Sequence, residues 1–268
     1  MTMAFRELDQ RDDRVLCALR CIDATSRVPV ESPLRIRSIT PPHPRIQRNS
    51  RGLFVVVEWA SLAEHARAFL EPPAQPSVES LSLKLAIEDP SGCYLPRLVE
   101  VLLPRNPDPL AARNLFEPIE VPLYSSATAP LEANWSVLNV SVHTAAEALG
   151  GALLLVSRNG SVLASGLSDW RGEALVAIAG VPIISFSDQQ DAALTHDLDV
   201  VLEGVFNPGT GTRIPLAKVR DGPPPALLPL VDPEALHKER NQMPRQQRNL
   251  RIAARGQIST TLRIDIPE

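Results

Sequence analysis

Ser168 beside Asp169 is the first pair in this sequence whose types could do chemistry, since a carboxylate can orient a base or a nucleophile. A hydrolase nucleophile needs a strained turn of the G-x-S-x-G kind, and the sequence contains none. The residues that follow, Trp170-Arg171-Gly172, give the pair another meaning. Asp169 can hydrogen-bond the backbone of its own turn, and Gly172 tolerates the positive φ that lets a strand restart. Asp89 and Gly92 repeat the spacing and are read the same way, so all four are structural turn residues.

The five histidines, His43, His65, His143, His196 and His237, are scattered, and neither H-E-x-x-H nor a paired C-x-x-C occurs. His196, Asp197 and Asp199 form the densest polar cluster. Alternation puts Asp197 and Asp199 on one strand face, where they either bind a cation at a sheet end or simply face water. Gly209-Thr210-Gly211-Thr212 lacks the lysine and helix of a phosphate loop. The expectation is a protein with no catalytic residue, no cofactor and no metal, hence no enzyme.

Charge points towards proteins as partners. The formal net charge is −4 and the isoelectric point about 5.8, against general polyanion binding. Lysine occurs only at Lys84, Lys218 and Lys238, so arginine carries nearly all positive charge. One arginine group is Arg35, Arg37, Arg45, Arg48 and Arg51; another is Arg240, Arg245, Arg248, Arg251 and Arg255. Neither is interleaved with aromatics, so stacking on single-stranded nucleic acid has no support and no nucleic-acid partner is expected. The arginines are either solvated or suited to bidentate pairing with an acidic protein surface. Trp59, Trp135 and Trp170 read as core or turn packing, with Trp170 singled out because it sits at a turn tip.

The elements that must hold these residues are short strands. The 268 residues include 26 prolines against 13 glycines, and proline cannot donate to a sheet ladder, so edges and fixed loops should abound. Strands are predicted over residues 14–23, 34–37, 53–59, 81–87 and 98–103, each alternating or rich in β-branched residues. Further strands are predicted over 135–143, 151–156, 161–165, 173–179, 198–206 and 258–266, with Asn159-Gly160 as a hairpin turn. Helix is expected at Ser61–Leu70, from a capping box, and at Asp232–Arg240. Cys17, Cys21 and Cys93 are expected as reduced thiols, the first two being too far apart along one strand to bond. The charged start of the chain lacks the apolar core of a signal peptide, and the stretch from Ala174 to Phe186 is too short to span a bilayer. Cytoplasmic synthesis with no membrane partner is the expectation.

The two halves match in pattern at an offset of about 120 residues. Arg51-Gly52-Leu53-Phe54-Val55 answers to Arg171-Gly172-Glu173-Ala174-Leu175, and Leu83 through Pro90 to Val201 through Pro208. Two sandwich modules follow, residues 1–104 and 135–268, with a Pro-rich linker at 105–134 and a Pro/Arg-rich segment at 220–256 before the last strand.

Leu149-Gly150-Gly151-Ala152 and then Gly166-Leu167-Ser168-Asp169-Trp170-Arg171-Gly172 resemble the carboxypeptidase regulatory-like family. Ser168 stands where that family has threonine; Asp169 and Gly172 fit. The resemblance covers roughly 135–206 and implies a transthyretin-like β-sandwich that is accessory or adhesive rather than catalytic. The fold class expected is mainly β, two Ig-like or transthyretin-like sandwiches with one or two short helices. Asp89-Pro90-Ser91-Gly92-Cys93-Tyr94-Leu95-Pro96-Arg97 and Leu103-Pro104-Arg105-Asn106-Pro107 resemble uncharacterised proteins of phage-tail-like contractile injection clusters. That resemblance implies an accessory, cap or collar component with tail-tube, sheath or cap subunits as partners, and a carbohydrate- or peptide-binding module is the alternative. The candidate interface is Trp170, Arg245, Arg248, Arg251 and Arg255 with Ile258, Leu262 and Ile264 of the last strand, which either closes the second sandwich or reaches a partner.

Overall fold

The computed structural model describes residues 15–63, 79–181, 197–225 and 228–266. The protein is mainly β, as expected. Its described residues fall into two compact units. One draws on 15–20, 38–63, 79–83 and 101–119; the other draws on 21–37, 84–100, 120–181, 197–225 and 228–266.

In the first unit, β3 (Arg45–Arg48) and β4 (Phe54–Glu58) form an antiparallel pair. β4 also pairs with the start of β1 (Cys17–Asp23), Cys17 opposite Val56 and Leu19 opposite Phe54. The β3–β4 turn is set by Asn49, whose Oδ1 accepts from Arg51 N at 3.0 Å and Leu53 N at 2.9 Å while Gly52 adopts φ 77°. Trp59 is buried and donates from Nε1 to Pro42 O at 2.6 Å. Of the helix expected at Ser61–Leu70, the described part is a 3-10 turn, Ala60–Leu62; residues 64–70 lie outside the described residues.

The second unit contains a β-sandwich. One sheet has the order β11-β10-β13-β15, made of Ser161–Leu167, Leu153–Arg158, Leu198–Val205 and Arg245–Ile252. The facing sheet has the order β12-β8-β9-β14, made of Glu173–Ile178, Ser136–His143, Glu147–Gly150 and Thr212–Pro215. Alternation explains the core: Leu138, Val140 and Val142 of β8 meet Leu154, Val156, Val176 and Leu202. The β10–β11 hairpin turns at Asn159 (φ 51°) and Gly160 (φ 80°), both left-handed as a type I′ turn requires. The last strand, β16 (Gln257–Arg263), lies parallel to β8, from Gln257 opposite Val137 to Arg263 opposite His143. Leu262 and Ile264 are in the core and Ile258 packs against it, so this strand closes the sandwich.

Residues 35–37, 84–88 and 97–100 of this unit belong to a three-stranded sheet of β2 (Arg35–Ser38), β5 (Leu81–Glu88) and β6 (Arg97–Leu103). The segment 105–134, expected as linker, contains β7 (Ile119–Leu123), where Val121 and Leu123 are buried by simple alternation. Two short helices lie between β14 and β15. α1 (Leu216–Asp221) was not expected; α2 (Pro233–Glu239) matches the helix expected at Asp232–Arg240. Asp232 caps α2, its Oδ1 accepting from Glu234 N at 3.0 Å and Ala235 N at 3.1 Å, with Pro233 at the first turn.

Arg97 ties these pieces together. Its side chain is fully buried. Nε donates to Leu98 O at 3.0 Å, Nη1 to Pro122 O at 2.7 Å, and Nη2 to the Glu234 carboxylate of α2. The guanidinium lies 5.9 Å from the Tyr124 ring centroid.

Three outcomes are expected. Replacing Arg97 with alanine should cost about 3–5 kcal/mol in urea unfolding, because a cavity opens and the buried polar partners are orphaned. Gly172 has φ 77°, and a Cβ there would collide with the Val142 carbonyl oxygen; a Cβ at Gly92 (φ 75°) would meet nothing within 4 Å. Gly172→Val should therefore cost about 1–3 kcal/mol or more, and Gly92→Ala about 1 kcal/mol, in the same assay. Burial pushes the Cys17 thiol up to about 12, so it stays neutral near pH 8 in the native state. A thiol reagent at that pH should leave Cys17 untouched until the chain unfolds, and all three cysteines should then react without reductant.

Candidate functional site

The residues singled out in the sequence are placed by backbone needs first. Asp169 Oδ1 accepts from Arg171 N at 2.8 Å and Glu173 N at 3.0 Å, and Oδ2 accepts from Arg171 Nε at 2.9 Å. Ser168 is 2% exposed; its Oγ accepts from Ala152 N at 2.8 Å and donates to Leu149 O at 2.7 Å. Both capacities of the hydroxyl are spent on holding the ends of β9 and β10 together. Asp89 repeats the device, with Oδ1 accepting from Ser91 N at 3.0 Å and Oδ2 from Tyr94 N at 3.0 Å.

The arginine stretch meets the acidic strand of its own sandwich. Arg245 donates to Glu203 at 3.1 Å, where Gln247 also donates at 3.1 Å. Arg251 lies 3.2 Å from Asp199 and 3.9 Å from Asp197. Arg248 donates to Thr261 O at 2.9 Å, so it satisfies a carbonyl of β16. Arg255 sits in the β15–β16 connection with φ 56°. Arg245 and Arg251 of the expected arginine interface and the acidic pair Asp197 and Asp199 thus belong to one ion-paired strand surface. His196 lies outside the described residues, and no group of three or more metal-ligating side chains occurs among the described ones.

A cleft of about 590 Å³ opens within the second unit. It brings the Asp89–Gly92 and Asp169–Gly172 turns to one place, with β2 and the segment around Leu230. Tyr94, Leu95, Pro96, Leu167 and Leu230 supply apolar wall. Arg35 and Arg37 are on one face of β2, two residues apart. Arg37 is taken by Glu88, with Nε at 3.2 Å and Nη2 at 3.1 Å. Arg171 is taken by Asp169 and lies 6.0 Å from the Trp170 ring centroid. Trp170, also in the cleft, is half-buried. Neither the Arg35 guanidinium nor the Trp170 indole N–H has a hydrogen-bond or ion-pair partner among the described residues.

A second feature belongs to the first unit. Residues 105–117 form a compact loop held by its own side chains. Asn106 Oδ1 accepts from Asp108 N at 2.9 Å, and Asp108 Oδ1 from Leu110 N at 2.9 Å. Asn114 is buried, and its Oδ1 accepts from Phe116 N at 3.0 Å and Glu117 N at 2.9 Å. Arg105 Nε donates to Asn114 O at 3.1 Å. On this frame Leu110 is 93% exposed and Phe116 66% exposed. Sequence reasoning passed over both because Pro-rich context suggested linker; the signal was the run of Asn and Asp, each two residues before a backbone donor.

Two substitutions separate structural from surface charge. Asp169→Ala should cost about 1–3 kcal/mol because turn donors lose their acceptor. Asp199→Asn should change thermal stability by no more than about 0.5 kcal/mol, since its pair with Arg251 is solvent-exposed. Comparison with protein-family models, curated proteins and solved structures gives no match for the chain.

Proposed function

We propose that this chain is a non-enzymatic structural component of a multiprotein assembly, an accessory, cap or collar protein of a phage-tail-like contractile injection particle. The observation that carries the assembly reading is the loop at 105–117. Exposed leucine and phenylalanine cost solvation free energy, and here they stand on a backbone already fixed by hydrogen bonds. An anchor held in place before binding loses little freedom on docking, and buried apolar and aromatic anchors dominate protein interfaces. The side chains that chemistry would use point the same way: Ser168, Asp169 and Asp89 are engaged in turns. The class of particle rests on the resemblance of 89–97 and 103–107.

The test is co-purification with tube, sheath and cap subunits from cells producing such a particle, against a Leu110→Ser, Phe116→Ser double variant. The variant should melt within a few degrees of the parent, both side chains being exposed, and lose association by about tenfold or more. A parent chain that joins none of these subunits would remove the particle reading. A folded variant that assembles as the parent does would move the contact away from the loop.

A further inference from the structure

The cleft of the second unit carries an inference separate from the loop. Its acids are already engaged. Glu88 is paired with Arg37, Asp169 with Arg171, and Asp89 accepts from its own turn. The groups left over are donors: the Arg35 guanidinium, which is positively charged, and the Trp170 indole N–H. The same cleft has apolar lining from Tyr94, Leu95, Pro96 and Leu167. A volume near 590 Å³ is in the range of sites that enclose a few side chains.

The occupant complementary to these groups brings acceptors and negative charge on an apolar body. We propose that this cleft binds a short peptide segment in which a carboxylate side chain is flanked by apolar residues. The carboxylate meets Arg35, whose planar fork suits it. The apolar neighbours lie on the tyrosine, proline and leucine walls, and Trp170 offers a ring face together with one donor. A cationic peptide would set its charge against Arg35. A neutral sugar would stack on Trp170 but leave the guanidinium without a counter-ion, and no row of exposed aromatics lines a sheet among the described residues.

The indole N–H signals of the nitrogen-15-labelled full chain provide the readout. The chain has three tryptophans, and Trp170→Phe assigns the signal of interest. The probes are the blocked tripeptide leucyl-glutamyl-phenylalanine amide and its twins with glutamine or lysine at the centre. The glutamyl peptide should shift the Trp170 signal with millimolar affinity, at least about fivefold tighter than either twin. In Arg35→Ala, an exposed change that leaves the sheet intact, its affinity should fall to that of the glutamine twin while the twin itself is unaffected. The inference is overturned if no signal moves at about 10 mM peptide. It is equally overturned if the three peptides act alike, if Arg35→Ala changes nothing, or if a neutral disaccharide moves the Trp170 signal more strongly than the glutamyl peptide.

Discussion

A permanent positive charge sits where water does not reach. Arginine cannot shed its proton to escape this, so the surroundings must supply acceptors. Arg97 obtains them from three stretches of chain that are remote in sequence: its own strand β6, Pro122 in β7, and Glu234 in α2. Each would lose position without the others. Leu98 N donating to Val231 O at 2.8 Å, beside the capped start of α2, shows how closely the C-terminal segment is bound to that strand. Leu236 and Val231 then bury apolar surface with Tyr124 and Leu153, an apolar contact that the ion pair alone could not replace.

The signal for this centre was in the sequence. In Arg97, Val99, Val101 and Leu103 every second residue faces inward. Period two assigns Arg97 to that face while its charge argues the opposite, and the strand predicted from the sequence starts one residue later, at Leu98. What local pattern could not contain was the identity of the partners, both later in the chain, one more than twenty residues on and the other more than a hundred. By contrast the Asn159-Gly160 hairpin and the inward residues of β8 were legible, because each depends on a few neighbouring residues. α1 was missed because six residues after a proline give too little periodicity to read.

The candidate site divides in the same way. The turns at Asp89 and Asp169 were legible, since the carboxylate and the donors it serves lie within five residues. That both turns would frame one cleft was not legible, since sequence spacing does not record which loops converge. Nor was the pairing of Arg251 with Asp199, a product of the register between β13 and β15. The turn at Asn49–Gly52 shares its geometry with the other two, so one small backbone device recurs at three strand junctions.

The parallel pairing of β8 and β16 has a consequence for how the chain is made. On a ribosome, residue 137 emerges about 120 residues before its partner 257. β8 can acquire β12 soon after both are synthesised, but one of its edges must wait. During that interval the nascent sandwich presents unpaired amides and the apolar side chains that Leu262 and Ile264 later cover. Closure is therefore a late, long-range event, and a translational pause between residues 143 and 257 would lengthen the time for which that open edge is available to other chains.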